Sequence, residues 1–326
     1  MVWRQIHPPM NHLLTIIIPV HNRAELVVRT LNSLAASSLR DFQLIVVDNN
    51  STDTTPEVCR RWIESHASLG FQAKLLKENR RGAPAARNRG LAECTTPWVY
   101  FFDSDDLFDE RFVEVATEFA SANPTQDVLF FPVWMEANGK CSTRSYQPTG
   151  DAAIHILTSM LSTQSMLFRT EWLRSMGGWN EQLSIWQDWE LGVRVLLSRP
   201  RWKWYTTRAF HHIVVHADSI TGNSFSESLE GVLTAMDAAL KDVHQSQNLL
   251  EAEIRRMTKA LYFRARILAG KVAKEGKQEG RIQCRAWANK CMANRSLPIR
   301  LAGYFLEAYT ARGGRGAWRL AIKLLK

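Results

Sequence analysis

Three carboxylates stand within four residues at Asp103, Asp105 and Asp106, in the stretch FFDSDD from 101 to 106. Two of them, one residue apart on a turn, can ligate one hard divalent ion, Mn²⁺ or Mg²⁺, whose remaining positions accept diphosphate oxygens and water. The stretch directly follows the apolar run WVYFF, 98–102, which sets it apart from an ordinary solvated acidic turn. Two further polar sets occupy the same kind of place. Pro19, His21, Asn22 and Arg23 follow the run LLTIIIPV, 13–20, and Asp48, Asn49, Asn50, Ser51 and Asp53 end or follow FQLIVVD, 42–48. Ligands of an open α/β sheet bind outside the carboxyl ends of its strands, so the three sets converge on one edge. Gathering that many carboxylates is costly unless a cation or hydrogen-bond donors compensate.

The elements that must position these residues are written in the hydrophobic pattern. Over the first 130 residues short β-branched runs alternate with helical spacing, which predicts βαβ units and a mainly parallel sheet. Strands are expected at 13–20, 42–48, 71–78 and 98–102. Helices are expected at 23–37, at 54–66 with Asn50, Ser51 and Thr52 as its cap, and at 82–93. Further strands are expected between Asp127 and Ser145, then a helix from Asp151 to Leu161. Residues 170–197 read as helix, Gly-Gly turn, loop and helix. After Phe225 the strand signal ends and three helical, increasingly basic segments follow. A boundary near 226 divides an α/β unit, 1–226, from a helical region, 227–326, and no internal repeat is evident.

Composition narrows the function classes. With 326 residues, 45% hydrophobic and 22% charged, the chain is globular and neither disordered nor fibrous. The net charge of +9 is unevenly placed: residues 227–326 hold 19 basic and 9 acidic side chains, residues 1–226 hold 22 and 23. Five cysteines (Cys59, Cys94, Cys141, Cys284 and Cys291) form no CxxC pair, which predicts reduced thiols in a cytoplasmic protein and no zinc site. The run 13–20 is too short for a signal-peptide core, and no window of 18 apolar residues exists, so a soluble or peripheral protein is expected. GxGxxG, P-loop and G-x-S-x-G motifs are missing.

Six motifs in order, PVHN (19–22), VDNNSTD (47–53), NRRGAPAARNRGL (79–91), FFDSDD (101–106), GGWNEQL (177–183) and QDWELGVR (187–194), make the chain resemble a family 2 glycosyltransferase over residues 13–225. The resemblance implies a GT-A fold, that is, an α/β, Rossmann-like, mainly parallel sheet flanked by helices, here with a basic helical C-terminal appendage. It also implies an inverting transfer from a nucleotide-activated sugar, usually UDP-linked, with a divalent metal, Mn²⁺ or Mg²⁺. By position, Pro19 and Asn22 match the loop under the nucleotide, and Asp48 matches the carboxylate that hydrogen-bonds the base. Asn49 stands where many members carry a second Asp. Arg87 matches a basic residue close to the nucleotide. Asp103 would contact ribose or metal, Asp105 would be the main metal ligand, and Asp106 would contact the donor sugar. His216 matches a late histidine that completes the metal or diphosphate site. Asp188 matches the general base, with Gln187 in place of the usual Glu. An inverting displacement needs such a carboxylate opposite the leaving diphosphate, and a helix N-terminus keeps it ionised. Trp179, Trp186 and Trp189 flank the expected acceptor site as sugar-stacking platforms. SRPRWKW, 198–204, is similar to the Q-x-x-R-W motif of processive synthases, but Ser198 replaces Gln and no membrane span accompanies it, so a non-processive enzyme is expected.

The C-terminal helices interleave Arg312, Arg315, Arg319, Lys323 and Lys326 with Trp318, Leu320, Ile322 and Leu325. This pattern suits the anionic cytoplasmic face of a membrane, and a glycan or lipid-linked saccharide as acceptor. It equally suits packing on the catalytic unit or on a second subunit of a homo-oligomer. A nucleic-acid-binding role is disfavoured, because the basic excess lies on one appendage and the acidic cluster repels phosphates. A non-catalytic sugar-nucleotide-binding protein of the same fold has Gln187 as its only support.

Overall fold

The structure, a computed structural model, describes residues 12–69, 72–137, 140–144, 149–214, 225–292 and 294–325. Three strand-helix units open the chain: β1 (Leu14–Val20) and α1 (Ala24–Ala35), β2 (Gln43–Asp48) and α2 (Thr55–Ser65), β3 (Gln72–Lys77) and α3 (Ala83–Ala92). Then come β4 (Trp98–Phe101), β5 (Leu107–Phe108), α4 (Phe112–Ala122), β6 (Val128–Phe130), β7 (Val133–Ala137) and β8 (Lys140–Arg144). The α/β part closes with α5 (Ala152–Thr158), β9 (Met166–Arg169), α6 (Thr170–Ser175), α7 (Gln187–Leu197), β10 (Trp202–Trp204) and β11 (His211–Val214). Beyond it the described chain is helical: α8 (Leu229–Gln245), α9 (Glu251–Lys274), α10 (Gln278–Cys291), α11 (Leu297–Ala311) and α12 (Ala317–Leu324).

The main sheet has seven strands in the order β10-β6-β9-β4-β1-β2-β3. Its pairs are parallel except for those made by β9, which runs antiparallel to both β4 and β6. A strand with helices on both faces must be apolar throughout, and all seven residues of β1 are buried. Period-two alternation then splits the interior. Ile16, Ile18, Leu44, Val46, Tyr100 and Leu167 face one cluster with α1, α2 and α4. Ile17, Ile45, Val47, Phe101, Phe130 and Phe168 face the other. That second cluster runs without a break into α5, α7 and all five C-terminal helices. Gly90 of α3 lets this layer close: a Cβ there would sit 2.6 Å from Cγ2 of Ile17. A second sheet has four strands in the order β5-β11-β7-β8.

Pro19 survives inside a central strand for a reason of register. The Ile17 carbonyl accepts from Phe102 N–H on the β4 side and the Val20 carbonyl from Asn49 N–H on the β2 side. By parity Pro19 faces the β4 side, beyond the last β1–β4 pair at Ile17 and Phe101, where no ladder donor is required.

Candidate active site

The ends of β1 and β2 lie side by side, with Val20 opposite Asp48. Asn22 turns the chain there at φ 47°, a left-handed conformation that Asn tolerates better than most residues. Its side chain accepts from Thr52 N–H at 2.8 Å and donates to the Thr52 hydroxyl at 3.2 Å, while its own N–H donates to Ser51 Oγ at 3.0 Å. Ser51 and Thr52 therefore serve the β1 loop and do not cap α2, which corrects the expected cap. The first turn of α2 is held instead by Asp53, whose carboxylate accepts from Thr55 N–H at 2.9 Å. Burial raises the Asp53 pKa, but the Thr55 hydroxyl and the backbone N–H groups bonded to it outweigh that and leave it lowered. Asp48 is buried and accepts from Ser51 N–H at 3.3 Å.

Asn49 fastens the neighbouring loop. Its amide nitrogen donates to the carbonyls of Glu78 at 3.3 Å and Arg80 at 2.6 Å, and its oxygen accepts from Gly82 N–H at 2.8 Å. A carboxylate could accept from Gly82 but could donate to neither carbonyl. Glu78, itself buried, holds Arg80 through three hydrogen bonds of 2.8, 2.9 and 3.1 Å, and the Arg80 contact keeps its carboxyl below the usual range.

The acidic turn after β4 is organised by two donors. Arg87, buried on α3, donates from Nη2 to Asp103 Oδ1 at 2.7 Å and from Nη1 to Gln187 Oε1 at 2.9 Å. Its guanidinium lies over the Trp179 ring, 4.3 Å from the centroid. Gln164, 2% exposed, donates from Nε2 to Asp103 Oδ2 at 3.0 Å and to Asp106 Oδ2 at 2.6 Å. Its carbonyl in turn accepts from the Tyr100 hydroxyl at 2.6 Å. Burial, and then the charges of Asp103 and Asp106, push the Tyr100 pKa well above its ordinary value, so this donor keeps its proton. Gln164 was not among the residues expected from sequence. It lies on a single 3₁₀ turn, Thr163–Ser165, where no periodicity marks it. The available signal is a polar trio, Thr-Gln-Ser, directly before the apolar strand MLF.

Gln187 opens α7, after Trp186 in the left-handed conformation at φ 55°. Its amide nitrogen donates to the carbonyls of Leu183 at 3.2 Å and Ser184 at 2.8 Å while its oxygen receives Arg87. A continuous chain, Asp103 to Arg87 to Gln187, thus ties the acidic turn to the first turn of α7. Asp188 sits in that turn, half-buried, its carboxylate accepting from Trp189 N–H at 2.8 Å.

Two of the three expected stacking platforms are corrected by burial. Trp179 and Trp189 are each 2% exposed: Trp179 packs under Arg87 and edge-on to Phe101, and Trp189 donates from Nε1 to the Ile156 carbonyl at 3.3 Å. Each fills the core and presents no ring face to a sugar. Trp186 is half-buried, with the Arg264 guanidinium 4.7 Å from its ring centroid. His216 lies outside the described residues. Among the described residues no group of three or more His, Cys, Asp or Glu is placed to hold a metal. The donor chemistry nonetheless fits Mg²⁺ or a similar ion at a nucleotide site, which takes one or two carboxylates and completes its shell with phosphate oxygens and water. Asp103 and half-buried Asp105 are the carboxylates that would hold such an ion.

The fold is shared with known proteins. The sequence model of glycosyl transferase family 2 matches residues 15–177, half of the chain. The chain belongs to that family. Among curated relatives of this family 2 glycosyltransferase is the PGL/p-HBAD biosynthesis glycosyltransferase of Mycobacterium bovis, 24% identical over 213 residues, covering 65% of this chain and 79% of that one. The minor teichoic acid biosynthesis protein GgaA of Bacillus subtilis is 23% identical, covering 58% of this chain and 44% of its own. Glycosyltransferase GlyA of Streptococcus pneumoniae is 30% identical over 101 residues, so that 31% of this chain spans only 14% of that much longer protein. In three dimensions the chain is similar to TarS 1-349 of S. aureus, solved with UDP-GlcNAc, with a TM-score of 0.68, 18% identity, and coverage of 95% of this chain and 90% of that one. It is also similar to the mannosyltransferase PcManGT of Pyrobaculum calidifontis, solved with GDP-Man and Mn²⁺, with a TM-score of 0.57, 18% identity, and coverage of 96% and 84%. These likenesses give the GT-A fold.

Proposed function

We propose that this chain transfers a sugar, with inversion, from a nucleotide-activated donor, UDP-linked, to a hydroxyl of a glycan or lipid-linked saccharide in cell-surface polysaccharide or glycolipid assembly. The observation that carries the reading is the hydrogen-bonded chain from Asp103 through Arg87 to Gln187. It fixes the acidic turn, where a diphosphate and its cation would sit, relative to the helix turn bearing Asp188. Asp188 would take the acceptor hydroxyl proton as that oxygen attacks the anomeric carbon. Asp48, with the Asn22 and Asn49 loops around it, would receive the base, and Asp106, fixed by Gln164, would orient the donor sugar. A divalent cation on Asp103 and Asp105 would neutralise charge developing on the departing diphosphate. The names of the mycobacterial and Bacillus relatives support a glycolipid or teichoic-acid-type acceptor. Gln187 no longer argues for a non-catalytic protein, since its amide makes contacts that Glu could not.

The test is calorimetric titration of UDP, GDP and dTDP, with and without Mn²⁺, into the wild type and Asp105→Ala. The reading expects Mn²⁺-dependent binding of UDP, lost in Asp105→Ala. Absence of binding of every nucleotide by folded protein in either condition rejects it.

A further inference from the structure

The basic C-terminal region divides into cations that the fold consumes and cations that it leaves outside. On α9, Arg256 forks onto Asp151 at 2.7 and 2.8 Å, Arg264 donates to the Leu157 carbonyl at 2.7 Å and stacks on Trp186, and Lys271 lies 4.0 Å from the Phe225 ring centroid. Arg266, Arg281 and Arg285 all converge on Glu307, which is 1% exposed. Glu307 is the sole acidic residue between Ser296 and Leu325. Every exposed charge on that stretch is therefore positive: Arg300, Arg312, Arg315, Arg319 and Lys323. None of these five has a carboxylate partner among the described residues.

The apolar residues of this stretch are also divided. Along α12 most apolar side chains turn inward: Trp318, Leu320 and Ile322 pack against the main core and Leu325, just past its end, is 5% exposed, while Leu324 is 37% exposed. On α11 the opposite holds. Gly303, Leu306, Glu307 and Thr310 form its buried face, while Leu297, Leu301, Tyr304 and Phe305 are 63%, 59%, 48% and 56% exposed. Their spacing of i, i+4, i+7 and i+8 lines one side of the helix, turned away from the buried face.

We infer that the outer face of α11 is a docking surface for an anionic phospholipid bilayer, with Leu297, Leu301, Tyr304 and Phe305 entering the headgroup boundary and the five exposed cations contacting lipid phosphates. An amphipathic helix with a basic surround binds bilayers through both terms, each cation near an anionic surface contributing roughly a fivefold gain in affinity. A second copy of the chain fits less well, because a self-facing contact of this stretch would bring its uncompensated cations toward those of the partner copy. A soluble polyanion would use the cations but leave the four apolar side chains unexplained. The inference does not depend on the donor or acceptor, since vesicle binding is read without nucleotide.

The test is co-sedimentation of the full chain with phosphatidylcholine vesicles, with and without phosphatidylglycerol, across a salt series. The variants are Leu301→Glu with Phe305→Glu, and Arg312→Glu with Arg315→Glu. All four sites are exposed, and unchanged melting temperatures and UDP binding verify folding. The expected result is binding to the anionic vesicles alone, weakened by salt, and reduced at least tenfold in each double variant. Equal pelleting of wild type and both variants, or no pelleting with anionic vesicles, overturns the inference. So does a wild-type dimer in light scattering that Leu301→Glu with Phe305→Glu converts to monomer while vesicle binding is unaffected.

Discussion

Asn49 and Gln187 stand where the resemblance implies carboxylates, and in both the amide is used as donor and acceptor at once. Asn49 joins three backbone groups of the β3–α3 connection, and Asp there would keep one contact and turn the other two into repulsions between oxygens. Asn49→Asp is expected to cost about 1–3 kcal/mol, the penalty for stranding buried polar groups, read as a lowered denaturation midpoint at unchanged slope. An unchanged midpoint would show that these bonds carry no net stability. Gln164 makes the complementary case, as a neutral donor between two carboxylates. Gln164→Leu keeps the volume and removes the donor, leaving Asp103 and Asp106 to repel each other. Nucleotide affinity is expected to fall about tenfold, the equivalent of ~1.4 kcal/mol, and an unaltered dissociation constant would exclude Gln164 as the residue that positions them. Asp48 and Asp103 could be singled out in the sequence because each ends or closely follows a strand, whereas Asp188 was singled out through the resemblance of its motif. Gln164 was not, because a single 3₁₀ turn has no period to read.

At the level of elements, α7 is the piece that must be held in place if Asp188 is to act. Its Gly192 faces His155 of α5, where a Cβ would lie 2.5 Å from Nε2, the atom that bonds the Trp189 carbonyl at 2.9 Å. Gly→Ala inside a helix ordinarily gains up to about 1 kcal/mol, whereas overpacking costs about 1–3 kcal/mol. Steric conflict wins here, so Gly192→Ala is expected to lower both stability and turnover; a raised melting temperature would refute it. On the far side of α7, Asp242 of α8 is half-buried and faces Glu190; partial burial and then the Glu190 charge, with Arg194 and Lys241 partly compensating, raise its pKa to about 6. A carboxyl whose folded pKa exceeds its unfolded value of about 3.9 favours folding fully only below that lower value, and the contribution is lost as pH rises toward 6. Asp242→Asn, which mimics the protonated form, is therefore expected to stabilise the protein at pH 7 and to have no effect below about pH 4. A stability difference constant with pH would contradict this. The β-branched runs announced β1 to β4 within a residue or two, but β9 escaped: four residues running antiparallel inside a parallel sheet show no alternation that distinguishes them from a buried loop.

Across the whole molecule the expected boundary near 226 marks a change of secondary structure but not a break in the core. Leu229, Val232, Met236, Leu261, Phe263, Leu268 and Leu306 belong to the same cluster as Ile17, Phe101 and Trp189. At about 1.5–3 kcal/mol for each buried side chain, these seven match or exceed the roughly 5–15 kcal/mol by which a native protein is stable. A fragment ending at 226 is thus expected to lack a cooperative melting transition, and the full chain to melt in one; a sharply melting fragment would show independent domains. The sequence shows that the tail is helical and basic, but not which cations are consumed. Periodicity on α12 fits a membrane or a core equally, and only the packing decides. The proposed role of Asp188 as the base of a sugar transfer is open to a single measurement, UDP release from UDP-sugars, water serving as acceptor, in the wild type and Asp188→Asn. Donor affinity is expected within about twofold of wild type and turnover reduced about 10²–10⁴-fold. Turnover that survives in Asp188→Asn at unchanged affinity would contradict it.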